Sequence, residues 1–119
     1  MARFFMRGFD LLWLSRKEPM KIKAATIAEI PVTGMKKVKL NGHSILVVRC
    51  DDGYYAVDDT CTHEESSLSE GELLNCELEC ALHGARFDVK TGEVLALPAV
   101  VPLQTYRTTV ENDEIFVDL

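Results

Sequence analysis

No run of apolar residues in this sequence approaches the roughly eighteen that a membrane-spanning helix needs, so no membrane span is expected. Histidine is scarce, with three in 119 residues, and tryptophan occurs once. A phosphate-cradling glycine loop and a Gly-x-Ser-x-Gly elbow are both missing, which removes the usual signatures of nucleotide binding and nucleophilic hydrolysis. Internal repeats and low-complexity tracts are missing too. Positive charge is short: thirteen Lys and Arg stand against nineteen Asp and Glu, a formal net of −6. From Met20 to Leu119 the figures are nine basic and seventeen acidic. Such a body is repelled by nucleic acid and suits a docking partner with a basic face.

What is present is the composition of an ordinary globular protein, 47% apolar and 27% charged, at a length that allows one domain and not two. Residues 1–19 stand apart, with four basic and two acidic side chains. Arg7 and Asp10 interrupt their apolar stretch and no small-residue cleavage site follows, so they make a poor signal peptide. Three uses fit this extension: an upstream segment ahead of a working start at Met20, an amphipathic helix packed on the body or lying on a membrane surface, or a targeting leader. Residues 20–119 read as the functional domain, and the expected location is the cytoplasm.

From Met20 onward the chain reads as short strands divided by turn signals, an all-β pattern with almost no helix signal. Asn41-Gly42 separates Lys37–Leu40 from Ile45–Val48, and Asp52-Gly53 separates that run from Tyr54–Val57. Lys90-Thr91-Gly92 divides Ala85–Val89 from Val94–Ala96, and Asn112-Asp113 divides Thr105–Val110 from Glu114–Asp118. Between these halves, Asp58–Leu78 is rich in Ser, Thr, Glu and Gly and reads as loop.

The chemistry lies in Cys61-Thr62-His63 and, with sixteen residues between, Cys80-Ala81-Leu82-His83. Each half offers one thiolate and one imidazole. A [2Fe–2S] cluster needs four terminal ligands, and two thiolates on one iron with two imidazoles on the other use this set once. Two Cys and two His also suit tetrahedral zinc. Zinc fingers place both cysteines first and both histidines later, whereas thiolate and imidazole alternate here, so the spacing disfavours zinc. Cys50 and Cys76 match no motif position and read as small buried hydrophobes; whether they bond to each other is open. His43, beside the Asn41-Gly42 turn, reads as solvated.

At these residues the chain resembles the Rieske family, whose paired motif is C-x-H followed by C-x-x-H. The likeness extends through Tyr54–His63, Leu68-Ser69-Glu70-Gly71, Cys80–Asp88, Thr91-Gly92 and Leu97-Pro98-Ala99, and is greatest with the ferredoxin components of bacterial ring-hydroxylating (biphenyl-type) dioxygenase systems. It implies an antiparallel β-sandwich with a small cluster-binding subdomain of loops and short strands, a third loop near Pro98, and a single [2Fe–2S] cluster on Cys61, His63, Cys80 and His83. It also implies a soluble one-electron carrier rather than an enzyme. Such a carrier passes electrons from a flavin-dependent reductase to a terminal non-haem iron oxygenase of aromatic hydrocarbon catabolism, by transient docking and as a monomer.

Rieske proteins of the cytochrome complexes carry an extra cysteine in each ligand loop and hydroxyls that bond to cluster sulfurs. Here Ser66 and Leu82 stand where the cysteines would be, and Ala85 and Phe87 replace the hydroxyl residues. Fewer donors to the sulfurs leave the reduced cluster less stabilised, which predicts a potential near the low end of the Rieske range, about −150 mV. Residues 61–85 hold six glutamates and neither lysine nor arginine, so the cluster should sit in a negative collar, with Leu82 and Pro98 as an apolar rim.

A Rieske oxygenase would need a further iron on two histidines and a carboxylate, and His43 alone remains once His63 and His83 are spent. A small accessory or regulatory subunit, like that of nitrite reductases, is the alternative reading. Retention of all four ligands favours electron transfer.

Overall fold

Four two-residue turns set hairpins of the protein, three of them with both residues at positive φ, in the computed structural model that we describe over residues 20–62, 67–81, 84–97 and 101–119. Residues 1–19, the extension distinguished in the sequence, lie outside the described part. At Asn41 (φ 48°) and Gly42 (φ 84°) both turn residues occupy the left-handed region, the geometry that matches strand twist. They join β2 (Met35–Leu40) to β3 (His43–Cys50) with Leu40 opposite His43. Asn112 and Asp113, at φ 52° and 65°, do the same between β10 (Thr108–Glu111) and β11 (Glu114–Asp118). The third turn, Asn75 and Cys76 at φ 52° and 65°, joins β5 (Glu72–Leu74) to β6 (Glu77–Glu79). That hairpin corrects the reading of Asp58–Leu78 as loop. Its strands are three residues long, too short for alternation to register, and its turn lacks the glycine that usually marks such a site.

The remaining strands are β1 (Lys21–Thr26), β4 (Gly53–Asp58), β7 (Arg86–Asp88), β8 (Val94–Ala96) and β9 (Thr105–Tyr106). Helical structure among the described residues amounts to two single 3₁₀ turns, Ile27–Glu29 and Leu68–Glu70. The β3–β4 turn falls on Asp51-Asp52 with Cys50 opposite Gly53, one residue earlier than the sequence suggested.

Three antiparallel sheets result, ordered β1-β11-β10, β2-β3-β4-β9 and β5-β6-β7-β8. The run Ile45–Val48 is apolar on both faces because the middle sheet is covered on both. Ile45, Val47 and Ala56 pack with Ala25, Ile30, Ile115 and Val117 of the first sheet's side. Leu46, Val48 and Val57 pack on the other side with Leu68, Leu78, Phe87 and Val89. Each of these large side chains is fully buried, and burial of that kind stabilises by about 1.5–3 kcal/mol apiece. The strand anticipated over Thr105–Val110 changes sheets part-way: Tyr106 pairs with Ala56 in the middle sheet, and Thr108 pairs with Val117 in the first. Arg107 is the crossing residue, its carbonyl accepting from the Asp118 amide at 2.9 Å.

Candidate metal centre

The two halves of the cysteine–histidine motif occupy loops whose ends are pinned by backbone hydrogen bonds. The first loop leaves β4 and is closed by an antiparallel bridge between Thr60 and Ser67, with the Leu68 amide donating to the Asp59 carbonyl at 2.6 Å. The second spans the end of the β6–β7 hairpin, where the Cys80 amide donates to the Ala85 carbonyl at 2.7 Å. Cys61 and Cys80 are each 2% exposed and belong to one buried cluster with Leu68, Leu78, Ala85 and Phe87. Cys80 directly follows β6 of the third sheet, and Cys61 lies in the loop after β4. His63 and His83 lie outside the described residues, as do Ser66, Leu82 and Pro98. Ala85 and Phe87, which replace hydroxyl residues, are both wholly buried.

Sequence reading missed the residue that holds the first loop. Asp59 is 2% exposed, the one buried charged or polar residue among those described. Its carboxylate accepts from Ser67 Oγ at 2.5 Å and from the Ser69 amide at 3.0 Å, and Lys37 Nζ approaches to 3.4 Å. A buried carboxylate persists only when its oxygens are satisfied in this way. Each partner on the loop side lies beyond the ligand pair, so the side chain ties both ends of the loop together. No spacing rule marks such an aspartate in advance, because in sequence it is one more acidic residue at a strand end. Thr62 makes a further tie, donating from Oγ1 to the Val101 carbonyl at 2.6 Å across to the third loop. Leu97 and Val101, flanking the segment that contains Pro98, are 75% and 53% exposed.

Glycine is required where the loops meet. A β-carbon on Gly71 would stand 1.9 Å from the Glu79 carbonyl oxygen, and one on Gly92 2.2 Å from that of Leu103. The β5–β6 pairing sets Glu72 directly opposite Glu79, a like-charge pair that costs stability. Arg86 relieves Glu77 at 3.6 Å. His43, expected to be solvated, is exposed.

Residues 20–107 match the Rieske [2Fe–2S] domain family. The chain belongs to that family. It is 44% identical over 85 residues to the ferredoxin component of a p-cumate 2,3-dioxygenase system from Pseudomonas putida, covering 70% of this chain and 72% of the relative. With the biphenyl 2,3-dioxygenase ferredoxin component of Rhodococcus jostii RHA1 it shares 47% identity over 75 residues, 63% of this chain and 70% of that one. Among solved structures, the ferredoxin of carbazole 1,9a-dioxygenase from Nocardioides aromaticivorans IC177 superposes with a TM-score of 0.80 at 35% identity, covering 83% of this chain and 97% of that chain. The Rieske protein described here is thus a ferredoxin-type electron carrier with a single [2Fe–2S] cluster as its cofactor, and not itself an enzyme. Two buried cysteines of one cluster, one from each loop, fit the thiolate half of that cofactor's ligand set. Among the described residues no helix is long and apolar enough to cross a membrane.

Proposed function

We propose that Cys61 and Cys80 bind one iron of the cluster and His63 and His83 the other, and that the chain carries single electrons from a flavin-dependent reductase to the terminal oxygenase of an aromatic ring-hydroxylating system. The observation that carries this reading is the burial of Cys61 and Cys80 in one cluster, each in the loop that also bears a histidine of the motif. The bound cluster supplies reversible one-electron chemistry. The protein holds the two loops in register through Asp59 and the Cys80–Ala85 hydrogen bond, and closes the thiolate side against apolar packing.

Support for the oxygenase as partner comes from a complex of reduced oxygenase with oxidised ferredoxin in carbazole 1,9a-dioxygenase. The present chain resembles a chain of that complex at 33% identity and a TM-score of 0.79, over 85% of this chain and 94% of the other. Glu70, Glu72 and Glu79 line a cleft with Cys80 and Ala81 of the second loop, without a compensating cation in residues 61–85, and exposed Val101 lies beside the first. An acidic surface with a small apolar rim suits weak, short-lived contact with a basic face.

Wholly buried Ala85 and Phe87 offer no side-chain donor to the cluster sulfurs, which keeps the expected potential near about −150 mV. Electron paramagnetic resonance of the reduced, iron-loaded protein is the test. A low average g, lost together with the visible chromophore in His63→Ala and His83→Ala, is the expected result. Stoichiometric zinc without iron, or a coloured and reversibly reducible His63→Ala protein, overturns the assignment.

A further inference from the structure

The cysteines outside the metal motif are joined to each other. Cys50, the last residue of β3, and Cys76, the second residue of the β5–β6 turn, form a disulfide with 5.4 Å between their α-carbons, 26 residues apart in sequence. Three independent features give this bond a meaning beyond filling the core.

The first is conformational. Cys76 sits at φ 65°, a position where glycine is favoured and any β-carbon carries a cost. The second is topological, because the bond runs from the middle sheet to the hairpin that delivers a candidate ligand: Cys80 follows Cys76 by four residues, directly after β6. Beyond the disulfide, the Val89 amide donates to the Cys76 carbonyl at 3.1 Å. The third is access. Both sulfur-bearing residues line a surface cleft of about 260 Å³, walled by Arg49, Asp52, Leu73, Asn75 and Lys90. Cys50 is 6% exposed and Cys76 is half-buried, so a reagent in the cleft meets Cys76 first. The wall is charge-balanced, with Arg49 and Lys90 standing beside Asp51 and Asp52 and Lys90 paired to Asp52 at 2.7 Å.

We propose that Cys50–Cys76 is a thiol–disulfide exchange site for a small thiol, a two-electron centre separate from the metal centre, and that its oxidation state sets how firmly the β5–β6 hairpin is held on the middle sheet. The thiolate of the reagent attacks Cys76 Sγ, the bond to Cys50 breaks, and Cys50 leaves as a thiolate that takes up a proton. A second thiolate attacks the reagent sulfur of the mixed disulfide and releases Cys76, which is protonated in turn. Two small thiols are thereby oxidised to their disulfide, and two electrons and two protons pass to the protein. In the oxidised state the hairpin is anchored covalently; in the dithiol state only hydrogen bonds and packing hold it. The effect on cluster retention rests on the ligand assignment proposed above, whereas the exchange chemistry does not.

The experiment uses the full-length, iron-loaded protein, air-oxidised or treated with 2-mercaptoethanol and desalted without oxygen. Native iodoacetamide labelling followed by peptide mass mapping is expected to leave Cys50 and Cys76 unmodified before the thiol treatment and to modify both after it. Visible absorbance in excess ferrous chelator is expected to decay several-fold faster after treatment, and a Cys50→Ser, Cys76→Ser double variant to decay at the faster rate with or without thiol. Should the double variant fail to fold, the two wild-type states decide alone. Labelling of both cysteines in the air-oxidised protein overturns the exchange site. Equal decay rates in the two wild-type states overturn its hold on the hairpin. Labelling does not depend on iron, so a failed ligand assignment would leave that arm readable.

Discussion

A single buried carboxylate organises the first ligand loop, and its removal should be felt well beyond its own volume. Asp59→Ala leaves the part-buried Ser69 amide without its acceptor, reduces the Ser67 hydroxyl to its contact with Ser69 Oγ and strips Lys37 of its partner. The expected loss is about 3 kcal/mol of unfolding free energy, read from urea denaturation, with faster loss of iron as the loop opens. The candidate ligands come from the sequence, since C-x-H and C-x-x-H is a rare arrangement with its own chemistry, and the structure adds the burial of Cys61 and Cys80. Asp59 was not legible there, because its partners Ser67 and Ser69 become neighbours only once the loop has closed. His43 was legible for the opposite reason: a histidine at a hairpin tip has little to touch.

At the level of strands and turns, the hairpins marked by Asn41-Gly42 and Asn112-Asp113 could be read in advance because two adjacent left-handed residues are a local requirement. The β5–β6 hairpin could not, since its turn uses asparagine and cysteine and its strands owe their pairing to the third sheet. The disulfide was equally invisible, being a matter of which sheet faces which. Closing its 26-residue separation removes about 3.5 kcal/mol of freedom from the unfolded chain on the entropic account. β9 provides a titratable contact at the seam between sheets: Tyr106 donates from its hydroxyl to Asp58 Oδ1 at 2.7 Å. Burial first, and then the Asp58 carboxylate, hold the phenol well above its ordinary pKa. Above about pH 10 the unfolded chain loses that proton while the folded one keeps it. The stabilisation is therefore complete below about pH 10 and is lost as pH climbs through the raised folded value. Thermal melting should accordingly fall more steeply above about pH 10 in the wild type than in Tyr106→Phe. A residual slope is expected from Tyr55, whose phenol is raised by burial and by Asp52.

Over the whole molecule, charge is sorted along the chain, and the fold partly mixes it again: β1 lies beside β11, with Lys21 on Glu111 at 2.7 Å and Lys23 on Glu114 at 2.9 Å. Residues 20–49, which form β1, β2 and most of β3, contain six Lys or Arg and one Glu; residues 50–119 contain three and sixteen. The segment that bears the candidate ligands, residues 61–85, holds six glutamates and neither lysine nor arginine. Electron transfer to a basic-faced partner should be fast at low ionic strength and slow markedly as salt is added. Stopped-flow rates for a Glu70→Gln, Glu72→Gln, Glu79→Gln variant should be several-fold lower at low salt and nearly flat with ionic strength. A wild-type rate indifferent to salt would remove the electrostatic account. The acidic surplus was readable from composition and its run through residues 61–85 from the sequence, whereas the neutralising pairs of β1 with β10 and β11 depend on which strands the fold sets side by side.

The passage of one continuous stretch from the middle sheet to the first at Arg107 has a mechanical meaning. Tyr106 and Thr108 answer to different neighbours, and the Thr108 hydroxyl also reaches back to the Tyr54 carbonyl at 2.7 Å. Neither layer can peel away without pulling the same thread out of the other, so the scaffold behind the redox end behaves as one woven piece.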